Sequence, residues 1–309
     1  SDARPRNFLG LDPEDCDPRR AAVLILPVPY EATVSFGGGT RHGPQAIIDA
    51  SGTVELYDHE YEDEPYRVGV ATLDPVPLTV EGPEAALREL RRAYAAVLER
   101  RKFVVLLGGE HSVSVPPILE HAARLRKKGR RLSVLQLDAH GDLRDSWEGS
   151  RFSHACAMRR VVDEVDLVQV GIRAIAVEER SVMRRRKVTT IFAEELERDE
   201  SWIDRALAAL GRDVYVTIDV DYFDPSLVPS TGTPEPGGGT WYPTVRLLER
   251  LFRTKHVVAA DVVELAPIPG LVAPQFLAAK LVYKLIGFHV RRRRGGKGRT
   301  APGRTAPRG

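Results

Sequence analysis

The chain has 309 residues, a formal net charge of +2 at pH 7 and 43% hydrophobic residues, a composition typical of a globular protein with a large core. Its two cysteines, Cys16 and Cys156, cannot build a disulfide framework, which excludes a small disulfide-stapled secreted scaffold. No apolar run approaches the roughly 20 residues that cross a membrane, and the first ten residues lack the apolar segment of a secretory signal, so we predict a cytoplasmic protein.

Short apolar segments typical of buried strands recur along the chain and are mostly separated by helical patterns. The predicted strands are residues 22–26, 67–71, 103–107, 132–137, 166–172, 188–192, 214–218 and 256–265. Residues 83–101 and 274–288 instead repeat apolar side chains at helical spacing. The alternation predicts an α/β fold, a three-layer αβα arrangement with a mostly parallel central sheet.

The chain contains no internal repeat and no interior linker, so we expect one catalytic domain over residues 1–290. Residues 291–309 form a tail rich in Arg, Gly and Pro, with eight Lys or Arg residues and no acidic ones. Such a tail could bind nucleic acid or a membrane surface, or could be a solvated, disordered extension. Because it has no aromatic residue to stack on bases, we favour the second interpretation and predict neither a nucleic-acid nor a membrane partner.

Three of the predicted strands are followed directly by groups that can bind metal ions. His111 follows two glycines after the third strand, residues 138–142 read DAHGD after the fourth, and residues 219–221 read DVD after the seventh. Side chains two apart on an extended chain share a face, so the carboxylates and the imidazole of each motif would converge. The candidate ligands are His111, Asp138, His140, Asp142, Asp219 and Asp221.

The composition of this ligand set indicates the kind of metal. Carboxylates outnumber histidines and no cysteine takes part, which favours a hard or borderline ion such as manganese over structural zinc. Six ligands exceed the need of one catalytic ion but suit two ions about 3.5–4 Å apart that activate a water, as in two-metal hydrolases. An isolated Asp after a strand more often stabilises a turn or a helix start, as we expect of Asp224. The three motifs together favour the metal site.

The order of these motifs resembles that of the ureohydrolases, which include arginases and agmatinases, and the resemblance extends to about Phe288. It rests on GGEHS, LDAHGDLRD, SHACAMRR, DVDYFDPSLVPSTGTPEPGG and DVVELAP, at residues 108–112, 137–145, 153–160, 219–238 and 261–267, and on GGGTRHGPQAI at 37–47. The chain looks most similar to the agmatinase branch. At Glu110 many members carry Asp, so the longer side chain is a small departure.

The resemblance implies a role for each site residue. One manganese would be bound by His111, Asp138, Asp142 and Asp219, and the other by Asp138, His140, Asp219 and Asp221, so that Asp138 and Asp219 bridge the pair. His154 would be the proton-shuttling histidine, and Glu264 would hold the substrate guanidinium, so both would contact the substrate. The resemblance also implies a homotrimer or homohexamer. The same ligands would accept Ni²⁺, Co²⁺ or Fe²⁺.

The chemistry of guanidinium hydrolysis is consistent with these roles. Two cations would lower the pKa of a water so that it attacks the poorly electrophilic guanidinium carbon. The departing nitrogen needs a proton, which a histidine with a pKa near neutrality could deliver, as we expect of His154. A carboxylate such as Glu264 would orient the planar cation by paired hydrogen bonds. Without the neighbouring motifs, His154 would be interpreted as an ordinary surface or core histidine. Glu264 could instead neutralise a buried arginine.

The substrate is less well defined by the sequence than the reaction. The stretch 145–154 lacks the SGN element with which arginases grip the α-amino and α-carboxylate groups of arginine. We therefore predict agmatine, cleaved to putrescine and urea, with Trp147, Glu148 and Phe152 as candidates for the rim. N1-aminopropylagmatine, guanidinobutyrate, guanidine or arginine are alternatives, and a deacetylase-like amidohydrolase or a non-catalytic binding protein are more distant ones.

Overall fold

The structure is a computed structural model that describes residues 6–293 and contains a strand in each of the eight predicted segments. The strands are β1 (Val23–Val28), β2 (Val70–Thr72), β3 (Phe103–Gly108), β4 (Leu132–Leu137), β5 (Asp166–Ile172), β6 (Thr189–Phe192), β7 (Asp213–Asp219) and β8 (His256–Val263). They form one sheet in the order β2-β1-β3-β8-β7-β4-β5-β6, and each neighbouring pair is parallel. The prediction of a mostly parallel sheet is confirmed.

Helices cover both faces of this sheet. They are α1 (Gly43–Ser51), α2 (Pro83–Leu98), α3 (Val115–Arg126), α4 (Ala157–Val161), α5 (Val177–Arg186), α6 (Ala193–Leu196), α7 (Ser201–Ala209), α8 (Trp241–Thr254) and α9 (Ala273–Arg293). Apolar side chains of α1, α7, α8 and α9 pack in one core with alternate strand residues such as Ile25. Those of α2 to α5 pack on the other face, against residues such as Leu26 and Val134. The three-layer αβα fold is therefore confirmed.

The strands are apolar at nearly every position because the sheet is covered on both sides. In β1 and β3 all six residues are buried, as expected for a parallel sheet between two helical layers. Branched side chains predominate in these strands, and they fit the pleated surface well.

The last helix, α9, extends into the first residues of the predicted tail. Helix α9 does not end at Phe288 but continues to Arg293, so residues 291–293 belong to the folded domain. The Arg291 guanidinium lies 3.0 Å from the centroid of the Tyr61 ring and 3.3 Å from the Asp58 carboxylate, which also pairs with buried Lys284. The remaining tail, residues 294–309, and its predicted disorder lie outside the described residues. No helix within residues 6–293 combines the length and apolar character of a membrane span.

The strand order explains why distant motifs can meet. Strands β3, β8, β7 and β4 are consecutive in the sheet, and their carboxyl ends lie along the same edge because all are parallel. The segments that follow them carry His111, Glu264, Asp221 and Asp138 in that order across the sheet. Ligand sites of α/β proteins form at this edge, outside the carboxyl ends of the strands.

Candidate metal centre

A tight turn after β3 brings His111 to the edge of the sheet. A Cβ atom on Gly109 would lie 1.9 Å from the carbonyl oxygen of Tyr30, so only glycine fits there. His111 is buried, and its Nε2 lies 2.8 Å from the hydroxyl of Thr217, which in turn donates to Asp261 at 2.6 Å. With Nε2 occupied in this way, Nδ1 faces the carboxylates.

The DAHGD motif converges by a different route from the one predicted. Strand β4 ends at Leu137, so residues 138–142 do not continue as an extended strand. Asp142 instead has a positive φ of 53°, a left-handed conformation that is costly for a residue with a side chain. This turn directs the Asp142 carboxylate towards His111, with 3.1 Å between Oδ2 and Nδ1.

Asp138 lies between the two histidines. Its Oδ2 atom is 3.0 Å from His111 Nδ1, and its Oδ1 atom is 3.7 Å from His140 Nδ1. Further donors orient both oxygens: Oδ2 accepts from the Gln136 side chain at 2.7 Å, and Oδ1 accepts from the backbone of His140 at 2.6 Å. Each oxygen of this one carboxylate thus faces a different histidine.

The DVD motif completes the cluster at the end of β7. Asp221 Oδ2 lies 2.8 Å from His140 Nδ1, and Asp219 Oδ2 lies 3.3 Å from His111 Nδ1. Asp219 Oδ1 accepts from the backbone of Asp221 at 2.9 Å. The Arg173 guanidinium, which sequence reasoning missed, donates to the Asp221 carbonyl oxygen at 2.7 Å and holds this loop.

Two sets of three residues are compact enough to hold an ion each. One consists of His111, Asp138 and Asp142, and the other of Asp138, His140 and Asp221, with ligand atoms within 4.8 Å of one another in each set. The sets share Asp138. Asp219 lies outside both, although it is close to His111, so the six predicted ligands are brought together with Asp219 the least tightly placed.

The electrostatics of the cluster suit bound cations. Burial, and then the charge of Asp138, raise the pKa of Asp142 to about 7, and burial with the charges of Asp221 and Asp138 raises the pKa of Asp219. Burial lowers the pKa of His140, but Asp221 and Asp138 outweigh it and raise the value to about 12. His111 Nδ1 is buried, and carboxylate oxygens of Asp138, Asp142 and Asp219 lie 3.0, 3.1 and 3.3 Å from it. Carboxylates crowded around an imidazole nitrogen are a donor set that divalent ions would stabilise.

Glu264 follows β8 and faces the same cavity. It has a positive φ of 66°, and its Oε1 atom accepts from the backbone of His111 at 2.6 Å. Burial, together with the negative charge of Glu110, raises its pKa well above the usual value. A cation that entered the cavity would relieve this repulsion, as the predicted guanidinium would.

His154 also lines the cavity, but its acidity differs from the prediction. Its Nδ1 atom lies 3.0 Å from the Thr33 hydroxyl and its Nε2 atom 2.9 Å from the Ser35 hydroxyl. Burial lowers its pKa to about 4, and the neighbouring imidazoles His140 and His111 add to the effect. This pKa lies below the near-neutral value that was expected and favours the neutral ring, which can accept a proton.

The cavity has a volume of about 470 Å³. Five of the six candidate metal ligands line it, and so do Glu264 and His154. Trp147 lines it as predicted, whereas Glu148 and Phe152 do not. Sequence reasoning missed Thr33, Ser35 and Glu235, which also line it. Glu235 belongs to the quoted TGTPEPGG stretch and lies 3.9 Å from His140 Nε2, so its place in that motif was the available signal. Asp224 accepts from the Ser226 backbone at 2.9 Å, as expected of a turn residue.

Comparison with known proteins relates this site to a family. The model of the arginase family matches residues 21–287. The chain belongs to the arginase family. An N(1)-aminopropylagmatine ureohydrolase from Synechocystis is 40% identical, with 87% of this chain and 89% of that protein aligned. An agmatinase from Pyrococcus horikoshii is 33% identical over 89% and 94%. Agmatine ureohydrolase of Thermoplasma volcanium, a solved structure, has a TM-score of 0.83 and 27% identity over 95% of this chain and 98% of its own.

Membership of the arginase family makes the chain an enzyme of the ureohydrolase type. Hydrolases of this family depend on a pair of metal ions, and the structure contains a cluster of His and Asp side chains that could hold metal ions, most of which line the cavity. The match ends at residue 287, six residues before the end of α9 at Arg293.

Proposed function

We propose that this chain hydrolyses the guanidino group of agmatine or of its N1-aminopropyl derivative and releases urea. The observation that carries the proposal is the buried carboxylate of Asp138, whose two oxygens face His111 and His140, two residues that line the cavity. The relatives of the chain are ureohydrolases by name, which supports the reaction class.

We assign the roles of the site residues as the motifs suggest. His111, Asp138, His140, Asp142, Asp219 and Asp221 would hold two ions, with Asp138 and Asp219 shared between them. When bound, the ions supply positive charge that makes water a nucleophile at neutral pH.

The residues of the chain would orient the substrate and move its proton. Glu264, anchored through Oε1 to the backbone of His111, would pair with the guanidinium. Neutral His154 would accept a proton at Nε2 from the attacking water. It would then give this proton to the departing nitrogen, which leaves as an amine. Both residues line the cavity that contains the ligand cluster.

The longer amine is the better candidate of the two substrates. Aminopropylagmatine ureohydrolases of Synechocystis and Thermus thermophilus are 40% and 41% identical, whereas the agmatinases of Pyrococcus horikoshii and Bacillus cereus are 33% identical, close to a further aminopropylagmatine ureohydrolase at 32%. Neither substrate has a carboxylate, and both carry a distant amine that Glu235 could attract on the cavity wall. A deacetylase-like amidohydrolase would need neither Glu264 nor two ions.

Urea release from a set of guanidino compounds tests the substrate. With protein reloaded with Mn²⁺, we expect kcat/KM for N1-aminopropylagmatine to exceed that for agmatine by about tenfold or more, since one extended apolar contact discriminates by this order. Arginine, guanidinobutyrate and guanidine should be poorer. A higher value for guanidinobutyrate or arginine would contradict the proposed cationic specificity, and amide hydrolysis without urea would favour the deacetylase-like alternative.

Four further features are proposed. From the family resemblance we expect manganese as the native ion and a homotrimer or homohexamer; from the sequence we expect a cytoplasmic location and a single catalytic domain over residues 1–290, which the structure extends to the end of α9. Metal analysis of protein purified without added metal and light scattering would test the first two. Activity of a chain shortened after Arg293 would test the last, since residues 294–309 should be dispensable.

A further inference from the structure

We infer that Glu110 is a positioning residue that fixes the tautomer of His154, through Thr33, so that Nδ1 carries the proton and Nε2 is the nitrogen that exchanges protons with substrate. The inference deepens the proposed function, since it uses the role assigned to His154. It rests on a hydrogen-bond chain whose donors and acceptors can be assigned one by one from Glu110 to Trp147.

The Glu110 carboxylate accepts hydrogen bonds at both oxygens. Its Oε2 atom receives the backbone N–H groups of Ala32 and Thr33 at 2.6 and 2.7 Å. Its Oε1 atom receives the hydroxyls of Thr33 and Ser112 at 2.9 and 2.5 Å. Four donors face these two oxygens, a set that favours the ionised carboxylate; a carboxylate can only accept, so the hydroxyl proton of Thr33 points at Glu110.

Thr33 then has only its lone pairs left for His154. The hydroxyl oxygen accepts from the backbone N–H of His154 at 3.1 Å and lies 3.0 Å from Nδ1. Because its single proton is used by Glu110, the contact with Nδ1 requires a proton on Nδ1. One hydroxyl group thus orients both the backbone and the ring of His154.

The other ring nitrogen meets a compatible group. The Trp147 indole, which can only donate, gives its proton to Ser35 Oγ at 3.0 Å, and Ser35 lies 2.9 Å from His154 Nε2. Ser35 therefore donates its hydroxyl proton to the lone pair of Nε2 while His154 is neutral. Because Ser35 is exposed to the cavity, it can turn its proton to water when Nε2 becomes protonated.

The substitution Glu110→Gln can reverse the direction of these hydrogen bonds with little change in the shape of the side chain. The backbone N–H groups of Ala32 and Thr33 can only donate, so the amide oxygen of the new glutamine must stay next to them. The new NH₂ group then points at the Thr33 hydroxyl and donates to it. Thr33 would turn its own proton to Nδ1 of His154, so that Nε2 would carry the proton in the neutral ring.

Nitrogen NMR of histidine-labelled protein measures the tautomer directly. The protein is loaded with a diamagnetic ion such as Zn²⁺ and studied at a pH where His154 is neutral, and the His154 signals are identified by their loss in His154→Asn. We expect a protonated Nδ1 in the wild type and a protonated Nε2 in Glu110→Gln. kcat should fall steeply, by up to about 10⁴-fold, with KM little changed, as is known for a catalytic histidine held in the wrong tautomer.

Matched variants separate positioning from a structural defect. Thr33→Ser keeps the hydroxyl and should keep the wild-type tautomer, whereas Thr33→Val should leave a mixture. Ser112→Ala removes the other hydroxyl on the same Glu110 oxygen and should leave the tautomer unchanged. A protonated Nε2 in the wild type, or an unaltered tautomer in both Glu110→Gln and Thr33→Val, would overturn the inference. Because NMR needs no turnover, an inactive protein with the expected tautomers would count against the proposed function alone.

Discussion

Replacing Asp138 with asparagine should remove urea release almost completely and reduce the bound metal below two ions per chain. Each Asp138 oxygen faces a different histidine, so the amide would present an oxygen to one set and an NH₂ group, which cannot bind a metal, to the other. Bound metal ions stabilise the charge of the transition state by several kcal/mol. Because this stabilisation would be lost, we expect kcat to fall by about three orders of magnitude or more.

The matched control is Asp224→Asn, which makes the same chemical change in the motif that begins at Asp219. Asp224 caps a turn at the Ser226 backbone and does not line the cavity, so this variant should retain two ions and near-normal turnover. Metal content is measured by elemental analysis after dialysis. An Asp138→Asn protein that keeps two ions and wild-type turnover would show that the carboxylate does not bridge.

Replacing His154 with asparagine should lower kcat by about 10²- to 10⁴-fold while the metal content stays at two, because general acid–base groups contribute on this scale. His154 belongs to neither set of candidate ligands, and its ring nitrogens face Thr33 and Ser35, so the ions should remain bound. Burial lowers the pKa of His154 to about 4, which leaves the proton-accepting form dominant at neutral pH.

Added imidazole offers a second readout for His154. A small base that diffuses into the cavity should restore part of the activity of His154→Asn by replacing the missing proton acceptor. His59→Asn, at an exposed position outside the cavity, is the control and should behave as the wild type. Unchanged turnover in His154→Asn would remove His154 from the proton transfer.

The sequence predicted the sheet well because each strand is an apolar segment bounded by turn residues. Strands β4 and β5 coincide with the predicted ranges, since both faces of a parallel sheet need apolar side chains at nearly every position. The end of α9 was misplaced because four consecutive arginines look like a solvated tail. Burial of Lys284 and the stacking of Arg291 on Tyr61 are tertiary contacts that no local pattern reveals.

The site was predicted in its residue types but not in its local geometry. Spacing alone suggested that Asp138, His140 and Asp142 converge on an extended strand, whereas the left-handed turn at Asp142 brings them together. The low pKa of His154 depends on burial by segments far along the chain, so it could not be read from the motif. The same holds for Glu110, whose partners Ala32 and Thr33 precede it by nearly eighty residues.

The most direct test of the binuclear account is a titration of metal-free protein with Mn²⁺, in which bound metal and urea release are both measured. The account predicts that activity rises with a break at two ions per chain and that urea and the amine appear in equal amounts. Full activity with one ion per chain, or a product other than urea, would contradict it.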